Sequence, residues 1–296
     1  MRRVVLLGVL LIAGVIGMAA QQAAPPAPGT PASQPQTATI EKLRDNLFVI
    51  KGGGGNTAAF VTSNGVVLVD TKLANWGQRI MDQVRSVTDK PVTTIINTHT
   101  HGDHNGSNEF FPASVEVVAH ENTKSNMEKM PAFQGEKAQF LPDKTFKDTL
   151  TLFSGADRVD LRYFGPGHTS GDAIIVFPAL RVAHTGDLFP RKGTPLIDVN
   201  NGGSGVTYPE TVKKAAAGIT GVDEVIPGHS DVLPWSAFVE YGEFNAAFLT
   251  ATRAAIDAGK TVDEAIAGFK LPDTFQAYAM AGVKDNVTKI YAELKK

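Results

Sequence analysis

Along the chain the spacing of apolar residues alternates between the period of a strand and that of a helix. Phe48-Val49-Ile50, Ala58-Ala59-Phe60-Val61 and Val66-Val67-Leu68-Val69 are short apolar runs separated by turn formers, which predicts three strands. Ser63-Asn64-Gly65 closes the last two into a hairpin. Trp76, Ile80, Met81, Val84 and Val87 recur at helical spacing and give one amphipathic helix. Pro91 then leads into Val92-Thr93-Thr94-Ile95-Ile96, a buried strand. Asn108 to Phe111 predicts a short helix, Val115 to Ala119 a strand ending at His120, and Glu121 to Met130 a polar helix. Residues 131–148 lack a clear period. Further strands follow at Thr149 to Phe153, Arg158 to Phe164, Ala173 to Phe177, Arg181 to His184 and Glu224 to Ile226, with a helix over Tyr208 to Ala217. Phe238, Tyr241, Phe244, Phe248 and Ala251 form the apolar stripe of a long helix, and helices over Val262–Phe269 and Phe275–Leu294 finish the chain. Two β-rich halves, each closed by helices, fit an α/β architecture: a four-layer αβ/βα sandwich with sheets face to face and helices outside.

The ends of these strands carry the chemistry. Thr98-His99-Thr100-His101-Gly102-Asp103-His104-Asn105 places four metal-capable side chains within six residues, directly after a buried strand, and holds three of the chain's seven histidines. His99 and His101, two apart in an extended segment, project to one side and can share a metal. Asp103 and His104 follow where Gly102 lets the backbone bend, which suits a second metal nearby. Three later stretches, each after a strand, add candidates. His168 lies in Gly165-Pro166-Gly167-His168-Thr169 and completes a three-histidine set with one open position. Asp187 lies in Thr185-Gly186-Asp187-Leu188, and His229 in Pro227-Gly228-His229-Ser230. His120 and His184 read as hydrogen-bonded or packing residues, His184 because strand alternation sets it on the face opposite Asp187.

The His-x-His-x-Asp-His pattern, with the downstream glycine-flanked His168, Asp187 and His229, resembles the metallo-β-lactamase superfamily over roughly residues 45–232. The resemblance implies a dinuclear centre: one metal on His99, His101 and His168, the other on Asp103, His104 and His229, with Asp187 shared. It also implies that Asp70 lies beneath the site without ligating, and that Gly52-Gly53-Gly54-Gly55, otherwise a plain hairpin turn, could be a mobile flap. Two divalent metals lower the pKa of a shared water toward about 7, and Asp103 is the catalytic residue expected to orient the resulting hydroxide. Zinc is the expected metal, with iron or manganese compatible with the same ligands. An aspartate at 187 resembles the glyoxalase II-like and lactonase-like branch, which implies hydrolysis of a thioester, ester or lactone. The alternative is a periplasmic zinc β-lactamase of the cysteine-free subclass, which usually has serine there. A mononuclear iron persulfide dioxygenase shares the fold but would not need His104 and His229, and a flavo-diiron reductase would place glutamate at His101. A non-catalytic metal-binding protein leaves the open position unexplained.

Composition narrows this further. At 296 residues, with 43% hydrophobic and 20% charged, the chain suits one sizeable core. Its 28 basic and 30 acidic residues leave no basic field for nucleic acid, so a small-molecule substrate is the expected partner. Arg2 and Arg3, the apolar run Val4 to Ile16, and small residues at Gly17, Ala19 and Ala20 read as a secretory signal peptide over 1–20. The run is shorter than the roughly 20 residues of a membrane span, so stable membrane insertion is not expected after cleavage, and the location would be periplasmic or secreted. Residues 21–39 read as a Pro/Ala/Gln-rich disordered tether, and 40–296 as the hydrolase domain. There is no cysteine, which excludes disulfides and also the thiolate ligand that two of the three zinc β-lactamase subclasses use.

Overall fold

The run Val66-Val67-Leu68-Val69 buries both of its faces, and that fact organises the molecule. The computed structural model describes residues 37–295. Val66 and Leu68 pack with Ile80 and Val84 of helix α1 (Gly77–Arg85), whereas Val67 and Val69 pack with residues of a second sheet. A strand with helices on one side and another sheet on the other has no solvated face, which is why the run is apolar at every position.

The first sheet has the order β1 (Thr39–Lys42), β2 (Leu47–Lys51), β3 (Thr57–Val61), β4 (Val66–Val69), β5 (Val92–Asn97), β6 (Glu116–His120) and β7 (Lys144–Phe146). The strands are antiparallel up to β4 and parallel from β4 to β7, with α1 forming the crossover from β4 to β5. The second sheet contains β8 (Thr149–Leu152), β9 (Val159–Tyr163), β10 (Ala173–Phe177), β11 (Val182–Gly186), β12 (Glu224–Pro227) and β13 (Leu233–Pro234), in reverse chain order, with β11 and β12 parallel. Phe60 and Ile96 from one sheet meet Leu161, Ile175 and Phe177 from the other. The outer face of the second sheet (Ile174, Val176, Ala183 and Val225) packs with Val212, Phe238, Tyr241, Phe244, Ile290 and other helical residues. These come from α4 (Tyr208–Gly218), α5 (Trp235–Asp257) and α7 (Val283–Leu294); α2 (Gly102–Asn105) and α3 (Glu121–Met127) follow β5 and β6, and α6 (Val262–Ala267) lies between α5 and α7 in the chain. The αβ/βα sandwich is therefore as expected.

Several details differ from the sequence reading. The short, polar strands β1 and β13 and the strand β7 carry too little apolar pattern to be read in advance. The stripe on α5 runs through Thr252, with Ala251 only partly buried. The last helix starts at Val283, not Phe275. Ala279 gives its N–H to Lys192 O at 3.2 Å and accepts from Thr194 N at 2.9 Å, so its backbone groups pair with the loop after β11 instead of with a helix. The signal peptide and most of the tether lie outside the described residues, and β1 begins at Thr39.

Candidate metal centre

Strands β4, β5 and β6 run parallel, so their carboxyl ends share one edge of the first sheet. In the second sheet β11 and β12 run parallel, and β9 points the same way because two antiparallel pairings separate it from β11. The loops after β5, β9, β11 and β12 bring the seven candidate residues together, and the loop after β4 sets Asp70 beneath them. His99, His101 and His168 place ligand atoms within 4.8 Å of one another, as do His99, His104 and Asp187, and Asp103, His104 and His229. His101 Nδ1 lies 2.8 Å from His168 Nε2. His104 Nε2 is 3.3 Å from both His229 Nε2 and Asp187 Oδ1, and His229 Nε2 is 3.2 Å from Asp187 Oδ2.

Four of the five histidines have their outer ring nitrogen occupied, which fixes which nitrogen faces the cluster. His104 Nδ1–H donates to Asp70 Oδ2 at 2.7 Å, and His168 Nδ1–H to Leu196 O at 2.7 Å. His101 Nε2–H donates to Asp198 Oδ2 at 2.7 Å. His99 Nδ1 contacts Thr98 Oγ at 2.9 Å, and that hydroxyl donates to Asp70 Oδ2 at 2.7 Å. Asp70 thus orients a histidine of each set. A partner on the second nitrogen is a feature of metal-ligating histidine. The atoms left over point inward: His99 Nε2 and Asp187 Oδ1 are buried and have no hydrogen-bond partner. Buried polar atoms are normally satisfied, so two orphans facing one cluster fit a cation there.

The electrostatics agree. Burial drives His99 well below its ordinary value, helped by the neighbouring imidazoles, so it presents a lone pair. Burial also disfavours charge on His104 and His229, but carboxylates outweigh it. Asp187 and Asp70 hold His104 well above its usual value, and bonds to Asp103 and Asp187 raise His229 to about 9. Asp187 itself is held well below the carboxylate range, because His104 and His229 overcome the burial that would raise it. Protons on these two imidazoles thus do what a cation would do, and a metal would displace them. Asp103, His101 and His229 are the partly exposed members and form the mouth; His99, His104 and His168 are buried.

Close approach explains the glycines around the centre. A Cβ on Gly228 would come within 1.9 Å of Asp187 Oδ1, and one on Gly55 within 2.2 Å of the His104 ring. Gly54 and Gly55 are therefore seated on Asp103 and His104, with Gly53 against the Trp76 ring, and Gly55 N–H donates to Asp103 O at 3.0 Å. Gly102 is a correction. It begins a single helical turn, has no positive φ, and a Cβ there would meet nothing within 4 Å, so the bend needs no glycine at that place.

His120 and His184 stand apart from the cluster. His120 donates to Lys147 O at 2.7 Å and stacks on Tyr163; the buried His184 contacts Asn56 O at 3.2 Å and accepts from Gly186 N–H at 3.1 Å. Four supporting groups escaped the sequence reading. Asp198 sits in a turn whose Asn-Asn-Gly sequence hints at a capping acid, but nothing in it points to His101. The Leu196 carbonyl leaves no trace in a sequence. Tyr208 donates to the Asp187 carbonyl at 3.0 Å. The buried Lys72 gives its Nζ–H groups to the carbonyls of Ile50 and Gly55 at 2.8 and 2.9 Å and so ties down the glycine run.

A carboxyl-edge cluster of imidazoles and carboxylates on an αβ/βα sandwich fits a metal site. The metallo-beta-lactamase superfamily profile matches residues 50–238, and the chain belongs to that superfamily. The metallo-beta-lactamase IND-1 of Chryseobacterium indologenes is 25% identical over 198 residues, 64% of this chain and 80% of that protein. The alpha subunit of the 2,4-dinitroanisole O-demethylase of Nocardioides sp. (strain JS1661) is 30% identical over 156 residues, half of this chain and 45% of its own length. Among solved structures, the sec-alkylsulfatase Pisa1 of Pseudomonas sp. superposes with a TM-score of 0.74 at 14% identity, over 86% of this chain and 50% of its own. These last figures show a shared fold.

Proposed function

We propose that the chain is a metal-dependent hydrolase of carbonyl substrates (thioesters, esters or lactones) of the glyoxalase II-like and lactonase-like kind. In this reading His99, His101 and His168 hold one divalent cation, Asp103, His104 and His229 hold a second, and Asp187 serves both, with zinc in each place. The observation that carries it is Asp187, buried between the two histidine groups, with Oδ2 3.2 Å from His229 Nε2 and Oδ1 3.3 Å from His104 Nε2. A cation pair held there would bring the pKa of a water toward about 7 and polarise the substrate carbonyl.

The chain's own groups do the rest. Asp103 stays ionised because the hydrogen bond from His229 outweighs its burial, and it faces the mouth, where its carboxylate accepts a hydrogen bond from the attacking water and aims it. Asp70, Thr98, Asp198 and the Leu196 carbonyl hold the imidazoles in place, so little reorganisation is needed at the moment of reaction. The water oxygen joins the carbonyl carbon, the bond from that carbon to sulfur or oxygen breaks, and the water's proton leaves with the departing group. No oxidant or co-reactant is required.

A second reading, zinc β-lactamase, is supported by the names of IND-1 and of the type 2 enzyme of Elizabethkingia meningoseptica, which is 26% identical over 205 residues. Against it stands Asp187, where the cysteine-free subclass usually carries serine; the absence of cysteine tells only against the other two subclasses. An O-demethylase subunit and an alkylsulfatase among the similar proteins illustrate that the fold does not choose the substrate. We also propose export through residues 1–20. A panel of a thioester, a lactone, an aryl ester and a cephalosporin, with and without chelator, tests the reading. Chelator-sensitive turnover of the first three supports it; turnover of the cephalosporin alone replaces it with the second.

A further inference from the structure

Beside the metal centre lies a cleft of about 580 Å³ lined by Leu73, Ala74, Met130, Ala132 and Phe133 on one side and by the 102–106 turn on the other, with Glu109 and Lys137 also on its wall. The volume falls within the range of small-molecule sites. Three features tie it to the chemistry. Asp103 belongs to both the centre and the cleft wall. Space is open next to Gly102, between His101 and Asp103, where an added Cβ would touch nothing within 4 Å. Thr100, between two candidate ligands, donates its hydroxyl to Met130 Sδ at 3.5 Å, so the 130–133 segment stands against the ligand loop.

The lining is also chemically one-sided. Leu73 is 45% exposed, held in that position by its backbone: its N–H donates to Gly53 O, and its carbonyl accepts from Ser107 Oγ. Ala132 is exposed as well, while Phe133 is buried behind it. The cleft's one cation, Lys137, is paired with Glu109 at 2.6 Å. A substrate anion would therefore have to displace an existing carboxylate, whereas an uncharged chain or ring would remove exposed apolar surface from water.

We infer that this cleft binds an uncharged alkyl or aryl group of the substrate, so that the preferred substrates are apolar esters or thioesters whose chain runs from the reacting carbonyl over Leu73 toward Ala132. The inference rests on the hydrolase reading for its chemistry, but the cleft can be tested without it. With zinc-loaded protein, the p-nitrophenyl esters of acetate, butyrate, hexanoate and octanoate should show kcat/KM rising by up to about fourfold per methylene until the cleft is filled. Leu73→Asn, at an exposed position, and Ala132→Trp, on an exposed turn, should each lower the octanoate-to-acetate ratio at least tenfold. Hydrolysis that is flat with chain length, or ratios unchanged in both variants, would overturn the inference and leave the hydrolase reading standing. If no ester is hydrolysed, the hydrolase reading is what fails, and binding then decides about the cleft. By ligand-observed NMR on the wild-type protein, 1-octanol should bind more tightly than 1-butanol and lose that advantage in Ala132→Trp; equal weak binding of both alcohols would refute the apolar site.

Discussion

Gly228→Ala separates the geometry of the centre from the stability of the fold. Gly228 has no positive φ, so alanine can take its backbone conformation, and any effect comes from the added methyl. That carbon would sit 1.9 Å from Asp187 Oδ1, whereas carbon–oxygen contacts lie near ~3.3 Å. Something must move by more than an ångström. The backbone is held on both sides, since Gly228 N–H donates to Phe189 O at 3.1 Å and its carbonyl accepts from Asn56 N–H at 2.7 Å. The Asp187 carboxylate must therefore swing away from His104 and His229. Overpacking of this kind costs about 1–3 kcal/mol of stability, but a catalytic group misplaced by about 1 Å costs roughly 100-fold in rate. The variant should stay folded, lose much of its bound metal after dialysis, and turn over at least ~100-fold more slowly. Gly102→Ala, on the same rim with nothing within 4 Å, is the control and should bind metal normally. Metal content by mass spectrometry, thermal melting and turnover of one panel ester read all three quantities. A Gly228→Ala protein with wild-type metal content and rate would mean that Asp187 does not stand where the chemistry needs it.

Two further outcomes follow from neighbouring groups. Burial lowers the Lys72 ammonium from 10.5 to about 7 despite Asp70, so the folded chain holds this proton more weakly than the unfolded chain. Stability should then rise with pH from about 7 toward 10.5, by a ceiling of roughly 5 kcal/mol at 1.36 kcal/mol per unit. In denaturant titrations across that range Lys72→Met should show a shallower rise, and identical slopes would contradict the assignment. Asp198→Ala removes the acceptor of His101 Nε2–H and should weaken metal binding about 10- to 100-fold in a chelator competition, with Asp198→Asn intermediate because it can still accept.

How much was legible in the chain depended on whether a feature is local. β4 and β5 were readable because being buried on both faces demands an unbroken apolar run, and α1 and α5 because their apolar stripes repeat at helical spacing. The seven cluster residues were readable as candidates because each follows a strand that writes its own apolar signal. Long-range backbone pairing could not be read: Ala279 stands outside the last helix and bonds Lys192 and Thr194, nearly ninety positions away. The supports of the site are long-range too. Asp198 lies 97 residues from His101, and Leu196 offers only a carbonyl. The glycines show the same divide. Gly102 looked like the hinge because it sits inside the motif, whereas Gly55 and Gly228 matter because His104 and Asp187 arrive from elsewhere.

Two cations sharing the Asp187 carboxylate is the proposal on which the chemistry turns. Metal content of the zinc-loaded protein after exhaustive dialysis, measured for the wild type and for Asp187→Ala, tests it most directly. Close to two equivalents are expected in the wild type and loss of tightly held metal in the variant, with the protein still folded. A wild type that retains no metal, or an Asp187→Ala protein that keeps both equivalents at undiminished affinity, would contradict it.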